Sequence, residues 1–79
     1  MYYVYILKSG KDGSLYTGLT VNIDKRLVEH NTGLSEYTKS KLPWYMVWHC
    51  VFGDKHKAAL FEKYLKTASG IAFLRKRLI

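Results

Sequence analysis

Cysteine is almost absent from this chain: Cys50 stands alone among 79 residues. One thiol cannot close an internal disulfide, so nothing points to an oxidising compartment. One Cys and three scattered His give no zinc-ligand pattern either. Proline is as scarce, with Pro43 alone, and no linker or low-complexity segment divides the sequence. No apolar run approaches the roughly 20 residues of a membrane span. The first residues enter an aromatic strand at once and show no signal-peptide architecture, so a soluble, cytoplasmic protein without membrane contact is expected. Acidic side chains are few as well, six against thirteen basic, for a net charge of +7. On so small a surface that field calls for a polyanionic partner. A solubility device or a ribosome-associated basic protein is the alternative. The interleaving of aromatic with basic residues favours nucleic acid.

Against these absences stands a 48% apolar fraction, ample for one core and incompatible with intrinsic disorder. Residues 1–79 are expected to form one domain, near the lower size limit for folding without staples. The run Tyr2 to Lys8 is apolar on both faces apart from its phenol tips, which suggests a central strand. Leu15 to Leu19 reads as a second, more polar strand. Gly10, Asp12 and Gly13 lie between them and predict a hairpin with a longer loop. With side chains alternating, Tyr3, Tyr5 and Leu7 share one face, and Tyr16, Gly18 and Thr20 share another. If those faces coincide, two phenols lie beside a glycine that permits close approach. The alternative is a hairpin whose tyrosines only pack.

Asn22 or Thr20 can cap a helix over about Ile23 to Asn31, with Asp24 in its first turn and Gly33 as its breaker. On the helical wheel His30 falls about 20° from Ile23, and Arg26 about 60° away on the same side. An arginine and a histidine therefore flank the apolar stripe. Arg26 can instead snorkel and pair with Glu29. Thr32 to Lys41 reads as a long polar loop, in which Tyr37, Lys39 and Lys41 combine a stacking ring with two ammonium groups suited to nucleic acid. Pro43 suits the start of a strand from Trp44 to Phe52, with Cys50 a small core residue. Asp54 caps a second helix, expected from Lys55 to Ala68 with a stripe of Ala58, Phe61, Leu65 and Ala68. Glu62 lies about 40° from Ala58. A carboxylate against that stripe needs a cation, either Arg26 or a metal ion; reaching out to Lys63 or Lys66 is the alternative. Gly70 is expected to break the chain before a short helix with Ile71, Leu74 and Leu78 inside. Arg75, Lys76 and Arg77 lie on its basic side, where Arg75 and Lys76 are candidate nucleic-acid contacts.

Val4-Tyr5 followed by Tyr16-Thr17-Gly18 resembles the two-part signature of the GIY-YIG nuclease family, with Tyr3 in place of the usual first glycine. Tyr5, Tyr16, Arg26, His30 and Glu62 stand in that family's order and spacing. The block Arg26 to Gly33, then Tyr37-Thr38 and Pro43-Trp44, is similar to its small single-domain bacterial members. The resemblance covers the whole chain. It implies an α+β fold, a three-stranded, mainly antiparallel sheet packed with about three helices. It also implies phosphodiester hydrolysis by an endonuclease using one Mg²⁺ or Mn²⁺ ion, with DNA the expected substrate. Glu62 would hold the ion and Arg26 would neutralise phosphoryl charge. Tyr16, or Tyr5 with His30, would orient or deprotonate water. Two departures stand out: Leu19 replaces the basic residue that often follows the second motif, and no asparagine follows Glu62. A basic module that binds nucleic acid without cutting it is the competing expectation.

Overall fold

The strand formed by Tyr2–Ser9 (β1) occupies the middle of the molecule, and four consecutive residues, Val4 to Leu7, are almost fully buried. In a computed structural model of the chain, which describes residues 1–79, β1 lies between Leu15–Thr20 (β2) and Trp44–Phe52 (β3). Both pairings are antiparallel, which refines the expected mainly antiparallel sheet to a wholly antiparallel one. Three helices, Ile23–Asn31 (α1), Lys55–Leu65 (α2) and Ala68–Arg77 (α3), complete an α+β fold. No helix is long and apolar enough to cross a membrane.

The central position of β1 follows from its composition. Val4 and Ile6 face one side and build a core with Ala58, Leu65 and Leu74 from α2 and α3. Tyr5 and Leu7 face the other and pack with Trp44, Ile23 and Leu27. Each such side chain contributes about 1.5–3 kcal/mol when taken from water. The sheet is therefore covered by α2 and α3 on one face and by α1 on the other.

The β1–β2 register runs unbroken from Tyr3 opposite Thr20 to Lys8 opposite Leu15. It sets Tyr5 opposite Gly18 and Leu7 opposite Tyr16, so the two expected aromatic faces coincide. A Cβ on Gly18 would sit 2.4 Å from the Tyr5 ring, which makes this glycine the opening into which the phenol fits. The hairpin loop turns through Gly13 at φ +76°, and Asp12 accepts from the Ser14 amide at 2.9 Å.

β3 carries an irregularity invisible in its sequence. Ile6 pairs with Trp48 but Leu7 pairs with Met46, so Val47 is bulged out. Trp44 and Met46 thereby pack on the α1 side, whereas Trp48, Cys50 and Phe52 pack on the α2 side. One alternating strand thus supplies both cores.

The α2–α3 corner corrects the expected boundaries. α2 stops at Leu65, and Ala68 belongs to α3 and is exposed. Thr67 caps α3 by accepting from the Gly70 amide at 3.1 Å, so Gly70 lies inside the helix and does not break it. Its reason is proximity: a Cβ there would stand 1.8 Å from the Tyr64 carbonyl oxygen. Glycine lets the two helix backbones touch.

Candidate active site

Asn22 caps α1 with its side chain accepting from the Lys25 amide at 3.1 Å, and Asp24 sits in the first turn. That start point fixes the helix rotation, and the rotation turns Arg26 and His30 toward the sheet. His30 is fully buried. Its Nε2 lies 2.9 Å from the Tyr5 hydroxyl and its Nδ1 lies 2.8 Å from Thr38 Oγ1. Burial, and then the charge of Arg26, pull the His30 pKa below its ordinary value, with Glu29 acting weakly the other way. The ring is therefore neutral at pH 7, with one nitrogen donating and one accepting.

Tyr5 is almost fully buried, and burial pushes its phenol up to about 12 against the lowering pull of Arg26. Arg26 is close enough to lower this phenol, but desolvation outweighs the guanidinium. Tyr5 is thus a neutral phenol locked to His30, a poor base at neutral pH. Tyr16, half-buried, lies against the same histidine with ring centroids 5.0 Å apart.

Arg26 makes the pair with Glu29 that snorkelling implied, at 3.2 Å, both side chains about one-third exposed. The guanidinium also faces both phenols. Burial works to lower the Arg26 pKa, but Tyr5, Glu29 and Tyr16 outweigh it and raise it. The arginine thus remains charged at the mouth of the cluster.

Glu62 is on α2, with its side chain 22% exposed. It is the weakest of the influences on the Tyr5 phenol, and its hydrogen-bonded partner is Lys66, at 3.1 Å. Of the cations weighed for Glu62, Arg26 is not the partner: the alternative, Lys66, four residues on at the C-cap of α2, takes that place. No group of three or more His, Cys, Asp or Glu side chains converges anywhere in the chain, so no all-protein metal cage exists. A single carboxylate with one oxygen engaged by Lys66 does fit an ion such as Mg²⁺. Glu62 would be enough to hold such an ion, because Mg²⁺ sites commonly use one or two carboxylates with waters and substrate phosphate.

The expected nucleic-acid contacts separate in space. Tyr37 is 81% exposed, with its ring 5.7 Å from that of Tyr16. Tyr37 and Arg75 line a cavity of about 660 Å³ with Tyr16 and Lys66. Lys76 is exposed on α3 but does not line it. Lys39 pairs with Glu36 at 3.0 Å. Lys41 is drawn to the hairpin loop, binding Asp12 at 3.1 Å and Ser14 Oγ at 2.9 Å. The Asp12 carboxyl falls well below its usual range, chiefly through its hydrogen bonds with Ser14 and then through Lys41.

Two supports of the site were not singled out from sequence. Thr38, fully buried, positions His30 through its hydroxyl, while its carbonyl accepts from the Trp44 indole N–H at 2.9 Å. Asn31 ties α1 to β3 by accepting from the Trp44 amide at 2.7 Å and donating to the Trp44 carbonyl at 2.9 Å. Asn31 ends a helix and Thr38 lies in an aperiodic loop, so periodicity marks neither; their one signal is that both fall in the family-like blocks.

A buried Tyr–His pair, an outward arginine and a second phenol thus lie together on the α1 side of the sheet, with a carboxylate on a separate helix. The chain matches the GIY-YIG catalytic domain over residues 1–72, and it belongs to that family. Among its relatives, the UPF0213 protein SSP2268 of Staphylococcus saprophyticus is 44% identical over 69 residues, covering 86% of this chain and 83% of that one. The UPF0213 protein CPE1444 of Clostridium perfringens is 46% identical over 67 residues, covering 84% and 71%. The solution NMR structure of the UPF0213 protein BH0048 from Bacillus halodurans superposes with a TM-score of 0.60 at 35% identity, covering 96% of this chain and 84% of that one. The family is one of nucleases, whose substrates are nucleic acids.

Proposed function

We propose that this protein is a divalent-metal-dependent endonuclease that hydrolyses phosphodiester bonds in DNA. The carrying observation is the convergence of Tyr5, Tyr16, Arg26 and His30 at one place in the fold. Arg26, cationic and partly open, would clamp the scissile phosphate and stabilise the charge that grows on it. Tyr16, half-exposed between His30 and solvent, is the phenol that contacts the attacking water. Tyr5 and His30, both buried, hold that phenol and Arg26 in place, and Thr38 holds His30. Glu62 would hold Mg²⁺ or Mn²⁺, which supplies Lewis acidity to the phosphate and stabilises the leaving oxygen.

One observation favours a second reading. The Glu62–Lys66 pair already neutralises the carboxylate, as a basic binding module without catalysis would have it. The two readings part in a cleavage assay over duplex, nicked, flap and single-stranded DNA, with Mg²⁺, Mn²⁺ or chelator. Metal-dependent cutting that disappears in Glu62→Gln, with binding kept, is expected. Binding without cutting by the parent chain would leave only the module.

A further inference from the structure

The cavity of about 660 Å³ beside the cluster has no role in the chemistry described above. Its volume falls within the range of about 300–1,000 Å³ found for small-molecule sites. We propose that it is a nucleobase subsite, which takes a base drawn out of the helical stack next to the scissile phosphate. This rests on the nuclease reading.

The lining carries the argument. Leu65 and Leu74, almost fully buried, give an apolar floor. Ile71 was expected inside the α3 stripe, yet it is 42% exposed and faces the cavity instead. Tyr37 leaves an 81% exposed ring at the rim. Exposed apolar groups gathered around one concavity mark a contact surface. Two cations stand among them, Arg75 and the Lys66 that pairs with Glu62. A flat, uncharged ring attached to phosphates matches all three features at once. Aromatic faces stack on it, the apolar floor receives it, and the cations meet the flanking phosphates. A lipid tail or an apolar peptide would leave the paired phenols and the two cations without a purpose.

Tyr16 gives the location. Its ring centroid is 5.0 Å from that of His30 and 5.7 Å from that of Tyr37, and Tyr16 itself lines the cavity. The same phenol thus borders the catalytic cluster and the cavity, so a nucleotide with its phosphate at Arg26 can place its base there. A base within a duplex has both faces covered, so the occupant is unpaired or flipped.

The test compares two single strands of equal length and charge, one of natural deoxyadenosine nucleotides and one wholly abasic. Binding is read by anisotropy in chelator, so that no cleavage enters. The natural strand is expected to bind the parent chain about 5- to 150-fold tighter than the abasic one, the worth of one stacked base. Tyr37→Ala should cut that ratio several-fold. Arg77→Ala, which removes a charge outside the cavity, should weaken both strands equally and leave the ratio intact. In a parallel NMR experiment, the Ile71 methyl resonances should shift with the natural strand and stay still with the abasic one. Equal binding of both strands, or a ratio unchanged in Tyr37→Ala, overturns the subsite and leaves the nuclease reading standing. Failure to bind either strand while duplex DNA is bound overturns the subsite alone; failure to bind any of the three overturns both.

Discussion

Replacing Tyr5 by Phe removes one oxygen from the centre of the molecule, and its effects can be worked out closely. The hydroxyl lies 2.9 Å from His30 Nε2, Tyr5 is 1% exposed and His30 is wholly enclosed. The other imidazole nitrogen is already committed to Thr38 at 2.8 Å. Phenylalanine therefore strands a ring nitrogen where water has no access. An unmade buried hydrogen bond of this kind costs about 1–3 kcal/mol. In a domain of this size each kcal/mol lowers the melting temperature by about 4–8 °C. The parallel substitution Tyr16→Phe removes a half-exposed hydroxyl and leaves no enclosed partner behind. It should melt like the parent chain while losing cleavage. Thermal unfolding followed by circular dichroism at pH 7.5, with a cleavage assay on the same samples, separates the two. A Tyr5→Phe variant that melts with the parent would refute the reasoning, since it would mean that His30 is not held by that phenol.

Further outcomes follow from the same geometry. Because His30 titrates below its ordinary pKa of about 6.5 in the folded chain, the unfolded chain binds the extra proton first. Its contribution to stability is complete above about pH 6.5 and drains as pH falls toward the lowered folded value; melting curves from pH 8 down to 5 that show no such decline would contradict this. Arg26→Lys keeps the charge but loses the planar fork, so cleavage should fall about a hundred- to a thousandfold, equivalent to ~2.7–4 kcal/mol. Its melting temperature should hardly move, because lysine keeps the charge and the partly exposed pair with Glu29 is worth only about 0–1 kcal/mol; near-parental cleavage would make Arg26 structural. Gly70→Ala pushes a methyl into the Tyr64 carbonyl and should destabilise the chain by about 1–3 kcal/mol or more, read as an earlier urea midpoint. An unshifted midpoint would show that the corner yields freely.

Periodic elements were legible in the sequence. The placement of Arg26 and His30 together needed only the helical repeat and a cap at Asn22, and β1 announced its central position by being apolar on both faces. What escaped depends on contacts across the fold. Gly70 looks the same whether it ends a helix or admits a neighbouring carbonyl, and only the location of Tyr64 decides. The bulge at Val47 left the alternation of β3 undisturbed, so nothing in the letters told of two cores. Lys41 and Tyr37 read alike as loop contacts, yet a carboxylate from a distant hairpin claims the first and leaves the second free. The choice of Lys66 over Arg26 as partner for Glu62 likewise turned on which cation the packing brought within reach.

The joint at Gly70 has a consequence for how this surface can change over generations. The angle between α2 and α3 is set where main chain meets main chain, with no side chain as a spacer. Ile71 and Arg75 ride on the helix beyond that joint, facing the cavity but not determining where the wall stands. Exchanges at those two positions can therefore alter what the cavity accepts while its outline is preserved. Drift at Gly70 would move the whole wall at once. A lineage exploring new specificities would be free at the first pair and fixed at the third.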